Sequence, residues 1–219
     1  MIEYKILFVD EEEEALESFE LYVYDRNSDK SVDLIAMIPH DSLDELLEYI
    51  EVEKFDAIIT DHKLNEKKSS IEYDGIDLVR AIQTQKENFP CFILTGWDKE
   101  AVENGDDANI VYYKYFKDPE GIKHATFLDQ IKNQILKYRR KIKDSEKELL
   151  NLIEKSQDNP LNAKEESRLI ELDTFIENAT NKQSSLPEHL KGTKNLDELH
   201  KMIDSTDKLL AELRELKNG

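Results

Sequence analysis

The chain has 219 residues, with 30 Lys and Arg against 49 Asp and Glu, and a formal net charge of −19 at pH 7. This acid excess disfavours binding to nucleic acid and to anionic membranes, because their phosphate groups would be repelled. A hydrophobic content of 39% supports a packed core, and the length fits one medium domain with something smaller beside it.

The charge is unevenly distributed. Residues 1–137 carry 32 Asp and Glu against 15 Lys and Arg, whereas residues 138–219 are near neutral and show no basic stripe. The single cysteine, Cys91, cannot form an intrachain disulfide, which suits a reducing compartment. No secretory signal and no apolar run of membrane-spanning length is visible. We therefore expect a cytoplasmic protein that binds neither nucleic acid nor membrane.

Short apolar runs rich in β-branched residues alternate with amphipathic helical segments in the first part of the chain. The five predicted strands are Lys5–Val9, Val32–Ile38, Ala57–Ile59, Cys91–Leu94 and Ile110–Lys117. Strands that alternate with helices in this way predict an α/β fold, a doubly wound five-stranded parallel sheet with helices on both faces.

A different pattern begins at Leu128. Apolar residues then recur at alternating steps of three and four, which predicts one long helix with a heptad seam that ends at Asn159–Pro160. Asn162 and Glu165 resemble a capping box at the start of a second helix, and a third is predicted after residue 195. Each helix has a single apolar stripe, so the helices should pair with each other or with a second copy of the chain.

These patterns divide the chain into two predicted parts. Residues 1–137 should form the α/β domain, and residues 138–219 an all-α module, helical or coiled-coil, that continues the last helix of the domain. No catalytic motif is visible in the second part. Its predicted role is protein binding or dimerisation.

Acidic residues follow two of the predicted strands at corresponding points. Asp10 and Glu11 follow the first strand, and Asp61 follows the third. Ligands of open parallel sheets bind at the carboxyl ends of the strands, so these three carboxylates should share one pocket. Like charges repel there unless a cation lies between them, and clustered carboxylate oxygens suit Mg²⁺.

Five sequence pieces, in this order, resemble the receiver domain of two-component response regulators over roughly residues 2–137. They are Ile-Leu-Phe-Val-Asp-Glu (6–11), Asp-Ala-Ile-Ile-Thr-Asp (56–61), Asp-Gly-Ile-Asp-Leu-Val (74–79), Phe-Ile-Leu-Thr-Gly (92–96) and Tyr-Phe-Lys-Asp-Pro (115–119). The resemblance implies a flavodoxin-like receiver fold.

The resemblance also implies a chemistry. Asp61 would accept a phosphoryl group from a histidine kinase or a phosphotransfer protein, in the presence of Mg²⁺. The implied metal ligands are the backbone carbonyl of Lys63 and the carboxylates of Asp10, Glu11 and Asp61. A carboxylate that attacks phosphorus needs the charge of the transferring group neutralised, which a metal ion and an ammonium group provide.

Two further residues are implied to contact the phosphoryl group. Thr95 would hydrogen-bond one of its oxygens and act as the switch, and Lys117 would pair with another. The chain departs from the family here, because Asp118 separates Lys117 from the following proline, and Lys114 stays an alternative. Other departures are Glu11 in place of an aspartate found in many receivers, and a longer loop at residues 65–73.

The expected function is that of a response regulator. It would be a phosphoacceptor rather than an enzyme with a separate substrate, and it would signal through protein–protein contacts of the helical module. One alternative is a receiver-like scaffold that works without phosphorylation. A less favoured one is an aspartyl-nucleophile phosphohydrolase, which needs a second acid soon after the nucleophile, where this chain has His62 and Lys63.

Overall fold

The computed structural model describes residues 2–66, 70–95, 111–113 and 126–180. In chain order, its elements are β1 (Tyr4–Val9), α1 (Glu13–Arg26), β2 (Val32–Met37), α2 (Leu43–Glu53), β3 (Ala57–Asp61), α3 (Gly75–Gln85), β4 (Cys91–Thr95), β5 (Val111–Tyr113), α4 (Phe127–Asp158) and α5 (Ala163–Thr180). None of the helices in these ranges is long and apolar enough to cross a membrane.

The strands form one parallel sheet in the order β2-β1-β3-β4-β5. Strands β1 to β4 make up most of it, and the three-residue β5 pairs with β4 at one edge. This order is that of flavodoxin-like doubly wound folds, in which the chain reverses its direction across the sheet after β2. The α/β prediction is confirmed, and the order is the one that the receiver resemblance implies.

Both faces of the central strands are buried, as their continuous apolar sequences predict. On one face, Ile6 and Phe8 of β1 belong to a core that also contains Phe19 of α1 and Ile131 of α4. The rings of Phe8 and Phe19 lie 4.6 Å apart between centroids. Leu7 and Val9 alternate with these strand residues and are also fully buried, on the opposite face.

Polar contacts fasten the first half of α4 to the sheet domain. The Arg139 guanidinium donates from Nη2 to the Asp56 carboxylate and to the Glu3 carbonyl, at 2.8 Å each. Lys132 lies 3.3 Å from the Asp29 carboxylate. The apolar seam of helix α4 therefore packs against the sheet, and ion pairs hold the helix at its flanks.

The chain divides into two compact units, Met1–Asp144 and Ser145–Gly219, and the division falls within α4. In the second unit, the guanidinium of Arg168 on α5 donates to both carboxylate oxygens of Glu148 on α4, at 2.8 and 2.9 Å. Leu169 and Leu172, two residues of the predicted α5 seam, are buried. The predicted third helix lies outside the described residues, and the predicted boundary at 137/138 stays a prediction.

The capping box predicted at the start of α5 is present. The Asn162 side chain accepts hydrogen bonds from the amides of Lys164 and Glu165 at 3.0 and 3.1 Å, and the Glu165 carboxylate accepts one from the Asn162 amide.

We expect Asn162→Ala to lower the free energy of unfolding by about 1 kcal/mol, because the first-turn amides lose their acceptor. Thermal unfolding followed by circular dichroism measures the change. Lys164→Ala is the control, and equal stability of both variants would contradict the role of the cap.

Candidate functional site

Asp61 is the last residue of β3 and lies at the carboxyl edge of the sheet, with 6% of its surface exposed. Its backbone is fixed by pairing with Leu94 of β4, and the next amide, that of His62, donates to the Leu94 carbonyl at 2.9 Å. The Asp61 side chain accepts a hydrogen bond from the Lys63 amide at 2.8 Å. The predicted phosphoacceptor is thus held at the edge where ligands of such folds bind.

The acids that follow β1 lie beside it. The register of β1 and β3 pairs Val9 with Thr60, so Asp10 and Asp61 follow at the ends of adjacent strands, which run about 4.8 Å apart. Asp10 is fully buried and Glu11 is 8% exposed. The Asp10 carboxylate accepts a hydrogen bond from the Glu12 amide at 2.9 Å. The structure therefore brings all three acids to one edge of the sheet.

The donor chemistry of this edge suits Mg²⁺, since carboxylate oxygens are the ligands that this ion takes in proteins. Within the described ranges, however, no three His, Cys, Asp or Glu side chains are grouped closely enough to hold a metal ion. The carboxylates of Asp10 and Asp61 each accept a hydrogen bond from a nearby backbone amide. Metal binding would require side chains at this edge to turn toward one another, and the Mg²⁺ site stays a prediction.

The other residues of the predicted site are only partly covered by the structure. Thr95 ends β4, the strand next to β3, and its backbone pairs with Tyr113 of β5. It therefore lies at the same sheet edge as Asp61. Lys117 and its alternative, Lys114, lie outside the described residues, so the choice between them stays open.

Gly75 is a residue of this edge whose importance the sequence does not reveal. A Cβ atom added to Gly75 would lie 2.0 Å from the carbonyl oxygen of Asp61, and the Gly75 amide donates to the His62 carbonyl at 2.9 Å. Asp74 caps the same helix, with a reciprocal capping box to Asp77. The start of α3 is thus pressed against the backbone of Asp61. The only sequence signal was the Asp-Gly pair within one of the five receiver-like pieces.

The long loop between β3 and α3 is attached to the loop before α2. The Tyr73 hydroxyl donates to the His40 carbonyl at 2.7 Å, and the Ser70 hydroxyl donates to the Asp41 carboxylate at 3.0 Å. Burial raises the pKa of Tyr73 to about 12, so its hydroxyl stays protonated at neutral pH and remains a donor. Ser70 and Tyr73, which follow residues 67–69 in this loop, are therefore anchored near the candidate site.

No protein-family model and no curated protein matches this chain. Among solved structures, it is similar to the response regulator RcsB of Salmonella typhimurium, with 17% identity, 52% of this chain and 53% of RcsB covered, and a TM-score of 0.40. It is also similar to the anti-anti-sigma factor PhyR of Bartonella quintana, with 17% identity, 66% and 52% covered, and a TM-score of 0.46. The chain spans about half the length of both proteins. At these values the fold assignment rests on the strand order described above.

Proposed function

We propose that residues 1–137 act as the receiver domain of a two-component response regulator that accepts a phosphoryl group on Asp61. The observation that carries the proposal is the position of Asp61, buried at the carboxyl end of a central strand beside Asp10 and Glu11. A carboxylate in this position is held in place by the backbone on both sides. It needs only a phosphodonor and a counter-charge to act as a nucleophile.

The counter-charge that we propose is Mg²⁺. Asp10, Glu11, Asp61 and the carbonyl of Lys63 are the groups of this chain that would hold it. When bound, the ion supplies positive charge to the oxygens of the transferring group. The chain itself supplies the nucleophile, orients it through the Lys63 amide, and carries Thr95 at the neighbouring strand end.

The proposal extends to the helical part of the chain. Residues 138–219 would pass the phosphorylation state to a downstream protein, or to a second copy of the chain, through their apolar seams. The phosphodonor would be a histidine kinase or a phosphotransfer protein in the cytoplasm. The chain would catalyse at most its own phosphorylation and dephosphorylation.

A direct test uses the full chain with a small phosphodonor. Incubation with phosphoramidate and Mg²⁺ is expected to add one phosphoryl group, detected by intact mass, and EDTA is expected to prevent the addition. Asp61→Asn should reduce the labelling to background, because the amide is a poor nucleophile. Asp44→Asn is the matched control, since Asp44 is exposed in the first turn of α2.

Each outcome distinguishes the competing functions. No labelling of the unmodified chain would favour the phosphorylation-independent scaffold. Steady release of phosphate with many turnovers would favour the phosphohydrolase. Labelling that survives in Asp61→Asn would place the acceptor elsewhere and contradict the proposal.

A further inference from the structure

Two helices of the unit Met1–Asp144 share one face of the sheet and carry opposite charge. Helices α1 and α4 both pack on the core that contains Phe8 of β1, and the Leu128 amide donates to the Tyr22 hydroxyl at 3.2 Å. Residues 10–25 contain eight acidic residues and no basic one, whereas residues 130–143 contain six basic residues and no acidic one. This face therefore has an acidic part and a basic part side by side.

The two charged parts lie toward opposite edges of the sheet. Helix α1 begins at Glu13, soon after the end of β1, so its acidic first turns lie near the carboxyl edge. Helix α4 passes the amino edge at Arg139, which donates to the Glu3 carbonyl just before β1. The exposed residues Arg140 and Lys143 follow it there. The charge of the face thus changes from acidic to basic between the two edges.

Exposed apolar side chains lie between these charged parts. Leu21 and Tyr24 of α1 are 65% and 81% exposed, and Leu136 of α4 is 41% exposed. Leu21 and Tyr24 follow the acidic first turns and, three positions apart, share one side of α1. Leu136 lies one turn before Arg140 on α4. Large apolar side chains that are exposed together indicate a surface for binding another protein.

The charges of this face are not neutralised within the described part of the chain. Six exposed charged residues of the face form no ion pair with any residue that the structure describes: Glu13, Glu14, Glu17, Glu20, Arg140 and Lys143. By contrast, Arg139 and Lys141 of the same helix are paired with Asp56 and Glu87. Both signs of charge are therefore available to a partner.

We propose that this face, formed by α1 and residues 130–143 of α4, is a docking surface for a second copy of the chain. A two-fold rotation about the centre of the face places the acidic part of each copy against the basic part of the other. Leu21, Tyr24 and Leu136 would meet near the axis and lose their exposure to water. Charges elsewhere on the two copies repel less, because salt screens charges more than about 8 Å apart.

A second copy fits this face better than a partner of a single charge. The partner must present a basic part, an apolar centre and an acidic part in the reverse order, and the chain itself presents them in that order after a two-fold rotation. The contact uses the outer side of α4, where Leu136 and Arg140 are exposed, and not its apolar seam. It is therefore separate from the contacts proposed for the seams, and it does not depend on phosphorylation of Asp61.

The test measures self-association of the full chain by sedimentation velocity. The unmodified chain is expected to dimerise with a dissociation constant below about 100 µM, and the dimer should weaken as NaCl rises from about 0.05 to about 0.5 M. Arg140→Glu combined with Lys143→Glu should raise the dissociation constant at least about ten-fold, because each basic part then repels the acidic part of the other copy.

A second charge reversal tests the reciprocal arrangement. Glu17→Lys combined with Glu20→Lys should raise the dissociation constant at least about ten-fold as well. An equal mixture of the two reversed chains should form a heterodimer about as stable as the unmodified dimer, because the reversed charges are again complementary. Asp44→Lys combined with Glu48→Lys is the control, since both acids are exposed on α2.

The apolar centre is tested without a change of charge. Leu21→Gln combined with Tyr24→Gln should raise the dissociation constant at least about ten-fold, because two apolar contacts occur twice in the dimer. Val52→Gln should change it less than about two-fold. Val52 is 69% exposed on α2, which crosses the sheet in the opposite direction to α1 and so lies on its other face. Circular dichroism shows whether each variant is folded.

Three results would overturn the proposal. A chain that stays monomeric at about 100 µM would assign the face to a different protein. Dimerisation that survives in both charge-reversed variants would place the contact elsewhere, such as on the seams. Reversed chains that do not associate when mixed would contradict the two-fold arrangement. Labelling of Asp61 by phosphoramidate should be the same in all folded variants, so the failure of this proposal is distinct from failure of the proposed function.

Discussion

Gly75→Ala is expected to destabilise the unit Met1–Asp144 by about 3 kcal/mol or more. The added Cβ would lie 2.0 Å from the Asp61 carbonyl oxygen, 3.0 Å from its carbonyl carbon and 3.1 Å from Cγ2 of Thr60. Two of these atoms are backbone atoms of a central strand, which cannot move without breaking the pairing of β3 with its neighbours. Helix α3 would have to shift instead, and the hydrogen bond from Gly75 to His62 would be lost.

Urea denaturation measures this loss, and Thr84→Ala is its control. Thr84 is exposed on α3 and donates only to the Arg80 carbonyl of its own helix, so its replacement should change the free energy of unfolding by less than about 0.5 kcal/mol. A Gly75→Ala variant as stable as the unmodified chain would show that α3 does not press on Asp61. A destabilised variant that still folds should also accept less phosphate, because the Asp61 backbone is displaced.

Gly75 shows what the sequence could not predict. The run Ala57–Ile59 predicted β3 because strands buried on both faces are apolar over most of their length, and Asp61 marked its end because a charged residue interrupts the apolar sequence there. The approach of α3 to Asp61 produces no periodic pattern in the sequence, because it depends on where two separate elements meet.

The helices illustrate the same difference between local and tertiary signals. The seam from Leu128 predicted α4 through to its end, because burial of one stripe repeats at every turn and Pro160 stops the hydrogen-bond ladder. The division between Asp144 and Ser145 falls at the one polar position of the seam, Ser145, which is 8% exposed. The heptad spacing itself continues through the division. Contacts with other elements, which the seam does not encode, define where one unit ends.

The variant Asp10→Asn tests whether the buried acids bind a cation. We expect it to have opposite effects on stability without Mg²⁺ and on Mg²⁺ binding. Asp10 and Asp61 lie at the ends of adjacent strands, and both are buried. Like charges at the ends of adjacent strands repel, by an energy on the order of 2 kcal/mol at an effective dielectric constant of 20. Removing one charge without Mg²⁺ should therefore relieve repulsion. The resulting gain in stability is reduced by the loss of a charged hydrogen-bond acceptor. The Glu12 amide donates to the Asp10 carboxylate at 2.9 Å, and this hydrogen bond is weaker when the acceptor is neutral.

We expect Asp10→Asn to raise the free energy of unfolding in EDTA by about 1 kcal/mol, and to weaken Mg²⁺ binding at least about ten-fold. Urea denaturation across a Mg²⁺ titration measures both effects, because an ion that binds only the folded state stabilises it in proportion to its affinity. Asp44→Asn, an exposed acid of α2, should show neither. If Asp10→Asn lowers stability equally with and without Mg²⁺, Asp10 serves only to cap the start of α1. The acids at this edge would then have no shared ion, and phosphorylation of Asp61 would lose its electrostatic basis.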